Sequence, residues 1–322
     1  MRKFPALLTV LGLATLTLAG CTAGDVSGCT PPPHADAELQ AQFDVSGELG
    51  SDPRVSFGTP FHADVPQTWE TVEGTGTRIT SDDQLVALDV AVFDGMTGSK
   101  LISTPFDGDT TRTFTVAAWA DTFPEIGALL SCAAEGSRVV LALPPGGVAP
   151  ETAAALGLGA DDSTVAVVDV SRAYLPRAEG ALVFNNSHNL PSVVRAPSGQ
   201  PGVIVPDTSA PGDIVVQTLI RGGGPVVGEA DAVRVNYTGV PWQVGGDVFD
   251  TTWGASPAAV QVSAAQQPGF ADALTGQTVG SQVLVVVPAD QVVAGAAMGV
   301  PADTAVVYVI DILGVDDAAP LR

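Results

Sequence analysis

The sequence predicts an α+β protein made of two strand-rich domains in tandem. Three observations carry that reading. The 322 residues include 36 glycines and 25 prolines among abundant Val, Thr and Ala, a composition of short strands and tight turns rather than long helices. Several stretches alternate with the period of a half-buried strand, as Val233, Val235 and Tyr237 do against Arg234, Asn236 and Thr238. The chain also repeats itself after 147 residues.

That repeat sets Val72 on Leu219, Gly76 on Gly223, Ile79 on Val226 and Gly98 on Gly245. VALDV at 86–90 then overlies VRVNY at 233–237. After a three-residue adjustment, LLSCAAEGSRVVLALP at 129–144 overlies ALTGQTVGSQVLVVVP at 273–288. DDSTVAVVDV at 161–170 matches ADTAVVYVID, with Asp169 on Asp311. Two copies of one fold are the economical reading.

Taken in order, the chain opens with a targeting segment. Arg2 and Lys3 precede an apolar run over 6–18, and Leu18-Ala19-Gly20-Cys21 matches the bacterial lipobox. Residues 1–20 are therefore read as a lipoprotein signal peptide and Cys21 as the lipid attachment site. The expectation is an exported protein, anchored by N-terminal acyl chains at the extracytoplasmic face of the cell membrane. Residues 21–42, small, polar and proline-rich, read as a flexible stalk. The first copy spans 43–175, a Pro/Asn/Ser/Gly-rich linker 176–200, and the second copy 201–322. In the second copy, strands are expected over 215–220, 232–238, 259–263, 283–287 and 305–313. A short helix is expected after Gly269, where Phe270, Ala273 and Leu274 share one face.

Composition also excludes functions. A net charge of −22, near −24 once residues 1–20 are removed, leaves no basic patch for phosphates, so no nucleic-acid partner is expected. His34, His62 and His188 have no ligand-like spacing, so neither a metal nor a cofactor is expected. No serine, cysteine or histidine stands in a nucleophile–base arrangement, which removes the hydrolase readings. With Cys21 acylated, Cys29 and Cys132 remain, too far apart for a redox CxxC pair. They form either a disulfide, which an oxidising compartment permits, or two free buried thiols.

The stretch with most chemistry is VRVNYTGVPWQVGGDVFD at 233–250, which carries Tyr237, Phe249 and Asp250 on one hairpin-like unit. PGF at 268–270, ALTGQTVGS at 273–281, VLVVVP at 283–288 and VVYVIDILGV at 306–315 follow in order. In order and spacing, about the last 120 residues resemble an FKBP-type peptidyl-prolyl cis-trans isomerase domain. The resemblance implies two tandem FKBP-like domains, each an antiparallel curved sheet wrapped around one short helix, with the first copy degenerate. It also implies a pocket: Phe270 as the floor for a proline ring, Tyr237, Phe249 and Tyr308 as walls, Val300 closing one side. Asp250 would be the polar handle near the amide carbonyl, oriented by Tyr237, and the Gln267 backbone would bind substrate. In the first copy the corresponding residues are Val90, Ile102, Ser103, Ile126 and Ala166, which pack but offer neither rings nor a carboxylate. The sequence departs from the family after Pro288, where ADQVVAGAAMG contains no tyrosine.

Rotation about an X–Pro bond faces a barrier of ~18–20 kcal/mol set by amide resonance. It requires no nucleophile or metal, only a site that prefers the twisted amide to the planar one. The implied function is isomerisation of X–Pro bonds in exported proteins at the outer membrane face, with proline-containing polypeptides as partners. The alternative is a non-catalytic lipoprotein that uses the same fold to hold a polypeptide.

Overall fold

The computed structural model describes residues 29–185, 188–267, 269–292, 299–301 and 303–316. Cys21 and residues 1–28 as a whole lie outside them. From Cys29 onward the segment expected to be a stalk is attached to the first domain. Cys29 is disulfide-bonded to Cys132. The Ala35 amide donates to the Thr68 carbonyl and the Thr68 amide to the Pro33 carbonyl, both at 3.0 Å. Prolines 31–33 cannot donate to a ladder but favour extended backbone, which suits a short pairing at a sheet edge. Asp36 then caps helix α1 (Ala37–Gln40) by accepting the Leu39 amide at 2.8 Å.

The first domain begins with a hairpin, β1 (Phe43–Ser46) and β2 (Arg54–Phe57), followed by β3 (Gln67–Val72), β4 (Leu85–Asp94), β5 (Lys100–Ser103) and β6 (Phe114–Thr115). Helices α2 (Val116–Trp119) and α3 (Ile126–Leu129), strand β7 (Arg138–Leu143), helix α4 (Pro150–Leu156) and strand β8 (Thr164–Ala173) complete it. Its sheet has the order β3-β7-β8-β4-β5, with β6 also on β4.

The second domain comprises β9 (Gly180–Leu182), the hairpin β10 (Ser192–Arg195) and β11 (Pro201–Ile204), then β12 (Val215–Gly222), β13 (Ala232–Pro241) and β14 (Asp250–Thr251). After these come β15 (Ala258–Gln261), α5 (Phe270–Leu274), β16 (Gln282–Val287) and β17 (Val306–Val315). Every predicted strand and the predicted helix are present, with ends shifted by three residues at most. The sheet order is β9-β12-β16-β17-β13-β14, with β15 on β13. Apart from β9, this is the order of the first sheet, strand for strand and antiparallel throughout. The irregularity in pairing recurs too: the β4–β8 register shifts at Ala87/Leu88 and the β13–β17 register at Arg234/Val235, positions 147 residues apart.

The repeat is longer than the sequence signal, and the linker is not a linker. Within 176–200, β9 pairs with β12 and β10 belongs to a hairpin that covers the outer face of the second sheet. There Val193 and Val203 pack with Val240, Leu284, Val286, Val307 and Val309. Phe43, Val45, Val55 and Phe57 of β1–β2 cover the first sheet in the same way. Central strands are therefore buried on both faces, which is why RVVLAL and QVLVVV are almost unbroken apolar runs. Each hairpin is also tied down by a polar pair at one register position. In the first copy Arg138 Nε donates to Asp169 Oδ1 at 2.6 Å, and its guanidinium also reaches the Gly47, Glu48 and Ser51 carbonyls. In the second, Gln282 donates to Asp311 Oδ1 at 2.7 Å and accepts from Arg195 of β10 at 2.7 Å.

Tyr174 joins the two domains. Its ring packs with Leu85 of one sheet and Leu313 of the other, and its hydroxyl donates to Asp316 at 2.7 Å. Arg172 and Arg234 lie over the ring at 5.5 and 5.8 Å. A side chain on Gly314 would meet the Tyr174 ring at 2.6 Å, so this contact requires glycine. Among the described residues no helix is long and apolar enough to cross a membrane.

Candidate functional site

The candidate site lies between the inner face of the second sheet and α5. Strand β13 alternates so that Val233, Val235 and Tyr237 enter the inner core. Thr238 and Gly239 pair with Thr251 and Asp250, which brings the Asp250 carboxylate back over Tyr237. The Tyr237 hydroxyl donates to Asp250 Oδ2 at 2.8 Å. Across the next strand, Gly239 is paired with Tyr308 of β17. A side chain on Gly239 would meet both Phe249 and Tyr308 at 2.8 Å, so the glycine after Y-T lets these rings lie on the strand. Phe270 opens α5 behind Gly269, whose φ of +74° and contacts with Val285 and Val287 admit only glycine.

The four predicted rings form one cluster of edge-to-face contacts. Phe270 and Tyr308 have centroids 5.1 Å apart, Tyr237 and Phe270 5.2 Å, Phe249 and Tyr308 5.7 Å, Tyr237 and Tyr308 6.1 Å. Burial pushes the Tyr237 phenol up to about 12, helped by its bond to Asp250, while hydrogen bonding from the Gln267 side chain acts the other way. Gln267 is thus turned toward the site by its side chain, whereas the sequence suggested only a backbone role. Val300 packs at the edge of the cluster. Phe249 and Val300 also line an adjoining cleft of about 380 Å³ with Pro241, Gln243 and Asp247. Pro268 lies outside the described residues.

Two expectations change. Phe270, expected as the floor for a proline ring, is 0% exposed and Tyr308 is 0% exposed, so both rings are enclosed, while Phe249, Asp250, Gln267 and Val300 are partly accessible. The alignment of the copies also shifts by one residue here. Thr104 Oγ1 accepts the Val90 amide and donates to Asp89, as Thr252 Oγ1 accepts the Tyr237 amide and donates to Asn236. Asp250 therefore corresponds to Ile102, and Phe249 to Leu101, because Val92 pairs with Ile102 where its counterpart Gly239 pairs with Asp250, the connecting turn being one residue longer in the second copy. Thr252 was not singled out from the sequence; its signal was the threonine shared by both copies. Among the described residues no cluster of His, Cys, Asp and Glu could hold a metal ion.

Residues 224–313 match the family model described as FKBP-type peptidyl-prolyl cis-trans isomerase. No curated protein matches the chain. Among solved structures, the chain is similar to the three FKBP domains of wheat FKBP73, at 14% identity over 78% of this chain and 94% of that one, with a TM-score of 0.31. It is also similar to FkpA from Escherichia coli, at 21% identity over 40% of this chain and 53% of that one, with a TM-score of 0.29. For a peptidyl-prolyl cis-trans isomerase from Pseudomonas syringae the identity is 26% over 32% of this chain and 76% of that one, with a TM-score of 0.28. By its family match and by the strands, helix and rings that the match spans, the segment 224–313 is a domain of the FKBP-type peptidyl-prolyl cis-trans isomerase family.

Proposed function

We propose that the second domain catalyses cis–trans isomerisation of X–Pro bonds in exported polypeptides, and that the chain is held at the outer face of the membrane by lipid on Cys21. The observation that carries the activity is the Tyr237–Asp250 hydrogen bond set into a cluster of four rings. A twisted amide is less polar than a planar one, so a dry aromatic surround favours it. Each 1.36 kcal/mol of that preference gives about tenfold in rate. Asp250, held by the Tyr237 hydroxyl and partly accessible at the mouth, supplies one fixed polar group beside the rings. Location outside the cytoplasm draws support from the Cys29–Cys132 disulfide.

The test is peptide isomerisation by the whole protein. Asp250→Ala should lower kcat/KM about tenfold or more, and should cost about 1–3 kcal/mol of stability because the buried Tyr237 hydroxyl loses its acceptor. Phe270→Leu keeps most of the buried volume and should lower the rate at a small loss of stability. If both folded variants isomerise at the wild-type rate, the site is elsewhere. The second reading, a polypeptide-binding lipoprotein without catalysis, is favoured by the closed packing of Phe270 and Tyr308. It predicts prolyl-peptide binding with no acceleration.

A further inference from the structure

The Tyr308 hydroxyl is the one polar atom of the ring cluster that nothing in the fold explains. The residue is 0% exposed, and among the described residues its hydroxyl has no hydrogen-bond partner. A phenylalanine would make the same ring contacts without leaving a buried hydroxyl unsatisfied, which is a destabilising arrangement. The neighbouring hydroxyl is not in the same position, since the Tyr237 proton is committed to Asp250. Asp250, an acceptor when ionised, cannot serve an incoming carbonyl. The Tyr308 hydroxyl is therefore a buried donor of the ring cluster left without an acceptor among the described residues.

A prolyl peptide supplies the matching need. Its proline nitrogen carries no hydrogen, so when the ring enters an apolar cavity the polar groups to be satisfied are the flanking carbonyl oxygens. We infer that the Tyr308 hydroxyl donates a hydrogen bond to a carbonyl oxygen of the bound prolyl peptide, which makes it a substrate-contacting group and not merely a wall. Burial, with Asp250 and Tyr237 nearby, holds its phenol well above the ordinary range, so it keeps its proton at physiological pH. The inference rests on the isomerase reading and specifies how that site recognises its substrate. The proline's own carbonyl lies outside the rotating X–Pro amide and keeps its strength as an acceptor when that amide twists, so a bond to it acts on planar and twisted peptide alike. Its effect belongs in KM, not in kcat.

The experiment is Tyr308→Phe in the whole protein, read by isomerisation kinetics and by denaturant unfolding. KM should rise by roughly threefold to tenfold at unchanged kcat, the size expected for one neutral hydrogen bond. Unfolding should occur at the same denaturant concentration or a higher one. An unchanged KM, a fall in kcat at constant KM, or a loss of stability would each overturn the inference. If the wild-type protein shows no isomerisation, the isomerase reading fails, and calorimetric titration with the same proline peptide decides the hydroxyl's role. Weaker binding by Tyr308→Phe then supports it; equal binding, or no binding by the wild type, refutes it.

Discussion

Single residues show where chemistry was legible and where it was not. Tyr237, Phe249, Asp250, Phe270 and Tyr308 could be read through the order and spacing of the segments that resemble the family, and a two-residue period adds only that Tyr237 shares the core-facing side of its strand with Val233 and Val235. The pairing slip at Leu101 could not be read, since a bulge leaves no mark in a sequence that stays apolar on both sides of it. Nor could the environment of Asp311, which in sequence is one carboxylate in an apolar strand. In the fold it is 1% exposed and accepts from Gln282 and from the Ala178 amide at 2.8 Å. Burial nevertheless outweighs those donors and pushes its pKa up from 3.8 to about 6. A raised carboxyl value means that the folded state holds the proton more tightly than the unfolded one. The stabilisation is therefore complete below pH 3.8 and is lost as pH rises through about 6. At 1.36 kcal/mol per unit, the whole change is on the order of 2–3 kcal/mol. Asp311→Asn should remove it, so the stability difference between variant and wild type should shift in the variant's favour between pH 4 and pH 7. A difference that stays constant over that range in urea titrations would show that Asp311 does not titrate there.

Among the elements, the hairpins were the least legible. The sequence between the copies is rich in Pro, Asn, Ser and Gly, and by composition it is a linker. Composition reports that a segment makes turns, not that Val193 and Val203 between those turns have a surface to cover. What demands the cover is the sheet itself. QVLVVV in β16 has all six residues buried, so its outward side chains would otherwise face water. Each such side chain fully exposed costs about 1.5–3 kcal/mol. A fragment from Ala178 to Arg322 should accordingly be soluble and show a cooperative unfolding transition. One that begins at Pro206, without β9–β11, should aggregate or unfold at far lower denaturant. Equal behaviour of the two fragments by size-exclusion chromatography and circular dichroism would mean that the hairpin is dispensable. The first copy offers a complementary case. Arg138 is 1% exposed and ties β1–β2 to the sheet, so Arg138→Ala should destabilise by about 3–5 kcal/mol, because Asp169 is left buried and uncompensated.

For the molecule as a whole, the structure changes what a lipid on Cys21 would do. The sequence suggested a stalk of residues 21–42 that lifts the protein off the bilayer. In the fold, Cys29 is bonded to Cys132, and the chain from Pro33 onward pairs with β3, so only residues 22–28 are left to act as a spacer. Even fully extended, at ~3.3–3.6 Å per residue, that spacer reaches about 28 Å from the lipid-bearing residue to Cys29. The attachment point is on the first copy, near α3, and the ring cluster belongs to the second copy. The first copy would thus stand next to the membrane and the proposed isomerase site would be carried by the second domain, with Tyr174 and Asp316 joining the two. On a supported bilayer, neutron reflectometry of the lipidated protein should find protein density beginning within ~30 Å of the headgroups, given that reach. Cys132→Ser should leave that distance nearly unchanged, because the Ala35–Thr68 and Pro33–Thr68 backbone bonds hold the segment only a few residues further on. A solvent gap of about 50 Å or more, beyond the reach of those residues, would mean that the segment detaches from the first copy at the membrane.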